Sequence, residues 1–126
     1  MYHQTKILVV EDDYVNSELL EILLKRKGLN YLLAYDGLEA MDVFENHPEI
    51  DLVLLDIKIP KLNGEMVLQK MKALRPNTPI LVQTAYVFDK DRDRFFSLGC
   101  DDYIKKPIIK ELFYEKIDSL LKRKFN

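Results

Sequence analysis

Short apolar runs alternate with stretches of helical spacing along the whole of this chain, and that alternation is its tightest constraint. Residues 6–10, 31–35, 52–55, 79–84 and 103–104 read as extended segments. Residues 14–27, 36–46, 64–74, 89–98 and 109–122 read as helices. In the first of these, Val15, Leu19, Ile22 and Leu23 share one face; in the third, Val67, Met71 and Leu74 do. In the last, Phe113, Ile117, Leu120 and Leu121 are expected to face inward. The punctuation agrees. Gly28 is placed as a left-handed C-cap, Gly99 closes the fourth helix, and Asp36 with Glu39 three residues later opens the second.

Strands that are apolar throughout must be buried on both faces, so the expected fold is α/β with a parallel sheet and helices on each side. Right-handed crossovers leave few topologies. The expected one is a flavodoxin-like sandwich with five strands in the order 2-1-3-4-5 and five helices. At 126 residues the chain is read as a single domain, 1–126. Its composition, 48% hydrophobic and 32% charged, is globular and excludes disorder. Nineteen basic residues against 21 acidic ones leave a net charge of -2, which argues against direct binding of nucleic acid. One cysteine excludes an internal disulfide and suits a reducing, cytoplasmic setting. His3, His47 and Cys100 are too few for a zinc site of the usual kind. No apolar run suffices for membrane insertion, and the first five residues hold no signal core.

In open parallel sheets the site lies at the carboxyl ends of the strands, where strand order reverses. Strand 1 runs into Glu11-Asp12-Asp13, strand 3 into Asp56, strand 4 ends at Thr84, and strand 5 runs into Lys105-Lys106-Pro107. Three or four carboxylates then share one crevice. Two unit charges ~4 Å apart repel by about 4 kcal/mol at an effective dielectric near 20, so something must offset them. Oxygen ligands alone select a hard cation, and a few carboxylates plus water suit Mg²⁺. Lys106 adds a mobile charge and Thr84 a hydroxyl donor. A carboxylate nucleophile, a metal, a lysine and a hydroxyl together suit an aspartyl phosphate. Three acids after strand 1 would repel a nucleotide or flavin phosphate at that turn.

Some of these residues have plainer roles. Asp13 is either a helix cap or a fourth site acid, and Asp36 is a cap. Cys100 packs, and Lys122-Arg123-Lys124 sit solvated at a helix end that favours cations.

In combination the motifs resemble the response-regulator receiver domains of two-component signalling, from Lys6 to about Leu121. The residues that carry the resemblance are the strand and acids from Ile7 to Asp13, the loop Asp56-Ile57-Lys58-Ile59-Pro60-Lys61-Leu62-Asn63-Gly64, Thr84-Ala85 and Lys106-Pro107. Gln83-Thr84-Ala85-Tyr86 and Gly99-Cys100-Asp101-Asp102-Tyr103 are most similar to receivers attached to hybrid histidine kinases. The resemblance implies that Asp56 is the phosphoacceptor. It implies Mg²⁺ (or Mn²⁺) held by Asp12, Asp56 and the backbone carbonyl of Lys58, with Glu11 acting through water. Lys106 would pair with Asp56 at rest and with a phosphoryl oxygen afterwards. Thr84 and Tyr103 would be the switch pair, and the Lys106-Pro107 bond would be cis. Ile59, Leu62 and Asn63 replace the family's usual Met, Met and Asp with residues of similar kind. Tyr86 would stand beside the phosphoryl site, where, as at Lys58, the side chain bears on phosphoryl lifetime.

The implied function is a phosphorylation-activated switch rather than a turnover enzyme, catalysing only its own phosphorylation and dephosphorylation. A sensor histidine kinase or histidine phosphotransfer protein would donate. The α4-β5-α5 face would report to a partner or parent protein, with a phosphorylation-dependent homodimer as one form of output. Two other readings compete. A phosphatase of the dehalogenase type would need a second Asp two residues after the first, where this chain has Lys58, and usually a cap domain. A degenerate receiver would lack part of the acid, Thr and Lys set, which is complete here.

Overall fold

The computed structural model describes residues 4–85 and 88–125. Tyr86 and His3 lie outside the described residues. The elements are β1 (Lys6–Val10), α1 (Tyr14–Arg26), β2 (Asn30–Ala34), α2 (Gly37–Asn46), β3 (Leu52–Asp56), α3 (Gly64–Leu74), β4 (Ile80–Thr84), α4 (Asp89–Ser97), β5 (Asp102–Lys105) and α5 (Lys110–Phe125). The strands form one parallel sheet in the order β2-β1-β3-β4-β5, as the alternation predicts.

The pleat sends alternate residues to two cores. Leu8, Val10, Val53, Leu55, Ile80 and Val82 pack with α2, α3 and Phe95 of α4. Ile7, Val9, Leu52, Leu54, Leu81 and Ile104 pack with α1 and α5. Phe113, Ile117, Leu120 and Leu121 are buried there, as expected.

The face expected for α1 is corrected. Leu20, Leu23 and Leu24 are buried, whereas Val15 and Ile22 are exposed at 74% and 47% and Leu19 is partly exposed. The helix is apolar over a wide arc, so the spacing alone fits two rotations about its axis. On α3, Leu74 is likewise exposed, and Leu68 joins Val67 and Met71 in the core.

Element ends shift by a residue or so. β4 begins after Pro79, which has no N–H for the ladder, although its carbonyl accepts from Val53 N at 3.0 Å. β2 starts and ends one residue earlier than expected, β3 runs on to Asp56, and β5 is longer at both ends. α1 stops at Arg26 and α4 at Ser97, with Lys27 and Leu98 as C-caps, and α5 runs from Lys110 to Phe125. Gly28 has φ +69° and Gly99 φ +110°, so both helix ends close in the left-handed region.

The loop from Asp56 to Gly64 is tied down. Gly64 N–H donates to the Ile57 carbonyl at 3.1 Å, and a Cβ on Gly64 would lie 2.5 Å from the Ile57 backbone. Gly37 N–H donates to Pro60 O at 3.0 Å, while Leu62 N–H closes a three-residue turn onto Pro60 O. Lys61, inside that turn, has φ +72°. Asn63 caps α3, its side chain accepting from Met66 N at 2.9 Å.

Candidate functional site

The register aligns the site. Val10 pairs with Leu55, so Glu11 follows beside Asp56, and Asp56 in turn pairs with Gln83. Glu11 is 1% exposed and Asp56 5%, while Asp12 is open to solvent. One ligand oxygen from each of Glu11, Asp12 and Asp56 lies within 4.8 Å of the others. The three acids predicted to converge do converge.

Lys106 reaches into them. Lys106 Nζ lies 2.8 Å from Glu11 Oε1 and 3.2 Å from Asp56 Oδ2. Its backbone N–H donates to the Thr84 carbonyl at 2.8 Å, which extends the β4–β5 ladder to the lysine itself. Lys106-Pro107 is cis. Glu11 Oε2 accepts from Asp13 N–H at 3.2 Å, and Asp56 Oδ1 from Lys58 N–H at 3.1 Å. Lys106 was expected to pair with Asp56, and it does. Its shorter contact is to Glu11.

One cation among these acids is too few. Burial pushes the Glu11 carboxyl up to about 7, a shift reduced by Lys106 and added to by the Asp56 charge. For Lys106, burial pulls downward, but Glu11 and Asp56 together outweigh it and hold the ammonium above its ordinary value. The lysine therefore keeps its proton, and the carboxylates carry the uncompensated charge. All three acids present oxygen only, the donor type a hard divalent cation takes, so the residues fit Mg²⁺.

Thr84 is 5% exposed at the end of β4. It borders a cavity of about 450 Å³ lined also by Lys58, Ile59, Asn63, Arg94 and Phe95. Tyr103 is half-buried. Its ring meets Phe96 edge-on at 6.1 Å, and Lys116 Nζ sits 5.5 Å from the ring centroid. A side-chain hydrogen bond with Tyr103 is the largest of the contacts that hold the Arg92 guanidinium above its ordinary value. Thr84 thus lies near Arg94 and Phe95 of α4, and Tyr103 against Phe96 of the same helix.

The remaining candidates resolve as structural. Asp13 caps α1, accepting from Val15 N at 3.0 Å, and stays outside the acid cluster. Asp36 caps α2 through Glu39 N at 2.8 Å, and Glu39 accepts from Tyr35 N. Burial, with the Asp101 and Asp102 charges, pushes the Cys100 thiol up to about 12, so it is an inert packing group. Arg123 pairs with Asp101 at 3.7 Å at the far end of the sheet. Gln83 was missed as a residue of interest: its side chain is buried directly after the apolar residues 80–82 of β4.

A family model described as a response regulator receiver domain matches residues 7–118. The transcriptional regulatory protein CpxR of Escherichia coli K12 is 39% identical over 120 residues, covering 94% of this chain and 50% of that protein. Hybrid signal transduction histidine kinase I of Dictyostelium discoideum is 33% identical over 122 residues, covering 90% of this chain and 7% of the kinase. The crystal structure of a CheY-like response regulator receiver domain protein from Methanospirillum hungatei JF-1 superposes with a TM-score of 0.89 at 29% identity, covering 95% of each chain. The chain spans about half the length of the CpxR proteins it matches.

Proposed function

The chain belongs to the response regulator receiver domain family, and from that premise we propose that it is a switch operated by phosphorylation of Asp56. Receiver domains accept phosphate from histidine kinases or phosphotransfer proteins and bind Mg²⁺ at an acidic pocket. In this chain one observation carries the proposal. Asp56 is a buried carboxylate with one oxygen on Lys106 and the other on Lys58 N–H, and two further acids lie close to it. Its one ammonium partner is shared with Glu11.

Glu11, Asp12 and Asp56, with the Lys58 backbone carbonyl, would hold Mg²⁺ or Mn²⁺. The bound cation supplies positive charge against the acids and the phosphoryl oxygens. An Asp56 carboxylate oxygen bonds to phosphorus as the bond between phosphorus and the donor's histidine nitrogen breaks. The imidazole leaves with the electron pair and takes its proton from solvent. Lys106 stays protonated throughout and transfers one of its hydrogen bonds to a phosphoryl oxygen. Thr84 donates its hydroxyl to another, drawing the β4 end inward. Tyr103 then leaves its place against Phe96, and the α4-β5-α5 face changes for a partner or parent protein, or for a second phosphorylated copy.

We place the domain, as one unit over 1–126, in the cytoplasm and without direct contact to nucleic acid. No helix among the described residues is long and apolar enough to cross a membrane.

Intact mass after phosphoramidate and Mg²⁺ tests the acceptor. Wild type should gain one phosphate, and Asp56→Asn should gain none while keeping its circular dichroism. Phosphate persisting on Asp56→Asn would overturn the assignment. The switch is tested separately: Thr84→Ala should still accept phosphate but lose the induced NMR shifts of α4 and Tyr103. Shifts that survive unchanged would remove Thr84 from the coupling.

A further inference from the structure

Gln83 is 1% exposed, and neither its amide oxygen nor its amide nitrogen has a hydrogen-bond partner among the described residues. They are the only such buried side-chain atoms among the described residues. A buried amide left unmatched is costly to a fold, so an apolar residue would be the easier choice at this point in β4.

Its position is specific. Leu81 belongs to the core under α1 and α5, and Gln83, two residues further on, points to the same face. By the same alternation Asp56 follows Leu54 and Glu11 follows Val9 onto that face. Glu11, Asp56 and Gln83 therefore form a row across β1, β3 and β4. Lys106 lies beyond β5, two residues past Ile104, the β5 partner of Gln83. To reach Asp56 and Glu11 its side chain must cross β4, and the β4 side chain on this face is Gln83.

The hydrogen bonding is complementary. An ammonium has three hydrogens. Those of Lys106 have two protein acceptors, Glu11 and Asp56. Gln83 offers an acceptor beneath the same side chain with no protein donor.

We infer that Gln83 is a positioning residue for Lys106, its buried amide oxygen taking the third ammonium hydrogen through one enclosed water. Such a water satisfies the third ammonium hydrogen and the amide oxygen and suits a polar buried site. It fixes the lysine from below, so the ammonium stays in line with Asp56 when its carboxylate partners turn to a metal or a phosphoryl group. The inference rests on the phosphoacceptor role of Asp56 only for its kinetic consequence.

The test compares wild type with Gln83→Met, which keeps the unbranched shape and removes the amide. NMR of the Lys106 ammonium in wild type should show slow hydrogen exchange, and Gln83→Met should accelerate it. Phosphorylation by phosphoramidate at saturating Mg²⁺ should slow by about tenfold, the effect of losing one hydrogen bond to a charged group. The Mg²⁺ affinity should not change. The reciprocal measurement uses Lys106→Met, which should shift the Gln83 side-chain amide resonances, and it decides the matter should Gln83→Met fail to fold. Unchanged ammonium exchange, or an unmoved Gln83 amide in Lys106→Met, overturns the contact. Faster exchange with an unaltered phosphorylation rate overturns the positioning role. Should wild type itself take no phosphate, the acceptor assignment fails, and the two NMR measurements still decide on Gln83.

Discussion

The two ends of the sheet use the same residue types to opposite effect. At the amino end, Asp51 accepts from Lys6 N–H at 3.1 Å and returns its own N–H to Lys6 O at 2.8 Å. Asp101 does the same for Ile80, at 2.8 and 3.0 Å, and also holds Lys72 Nζ at 2.7 Å and Arg123. Lys72 in turn donates to the carbonyls of Pro76 and Thr78. Each acid there meets a strand end's free N–H, and Asp101 meets two cations besides. At the carboxyl end, Glu11 and Asp56 share Lys106, and Asp12 lies close to both acids. Compensated carboxylates stitch a fold together. A surplus of them, held close by neighbouring strands, calls for a cation.

The comparison breaks most visibly in chemistry. Asp56→Asn should lose all phosphate incorporation, whereas Asp101→Asn should retain it. An Asp101→Asn protein that folds and yet takes no phosphate would show that the amino edge is part of the site.

Next in size is stability. Asp101→Ala leaves Ile80 N–H without its side-chain acceptor and removes the carboxylate that faces Lys72. Such losses cost about 2–3 kcal/mol, read as a lower urea midpoint with an unchanged slope. A midpoint equal to wild type would mean that Asp101 is not the tether its contacts indicate.

The pH dependence sharpens the contrast. The folded Glu11 carboxyl titrates at about 7 against an ordinary value of 4.5, chiefly because it is buried. Between those values the folded state keeps a proton that the unfolded chain has lost. The contribution of this group to stability therefore falls as pH rises through that window, and the penalty is complete above it. The slope approaches about 1.4 kcal/mol per pH unit at most. In EDTA, Glu11→Gln should remove this decline between pH 5 and pH 7. A wild type whose stability rises through the same window by the amount seen in Glu11→Gln would contradict the surplus.

How far the sequence carried these conclusions depends on the residue. Strand order and the convergence of Glu11, Asp12 and Asp56 were legible, because acids after buried parallel strands have few places to go. The inward face of α1 was not. Val15, Leu19 and Ile22 and the set Leu20, Leu23 and Leu24 both satisfy a helical spacing, and only packing against β1 and β3 chooses between them. Asp13 was undecided in sequence, since a cap and a ligand both follow a strand; its bond to Val15 N settled it. The Lys106–Glu11 contact joins residues far apart in the chain, and its precedence over Asp56 is a matter of a few tenths of an ångström. Gln83 was hidden by the pattern itself: an amide inside an apolar run reads as noise until its burial is known.

The smallest effect is the most direct test. Wild type and Asp12→Ala should be melted in EDTA and again with Mg²⁺ at ten times its dissociation constant. Wild type should gain about 1.4 kcal/mol from the metal by mass action. Asp12→Ala should melt above wild type in EDTA, because one repelling carboxylate is gone, and should gain much less from Mg²⁺. Should Asp12→Ala melt below wild type in EDTA and respond to Mg²⁺ as wild type does, the carboxyl edge carries no surplus of charge and the metal is held elsewhere.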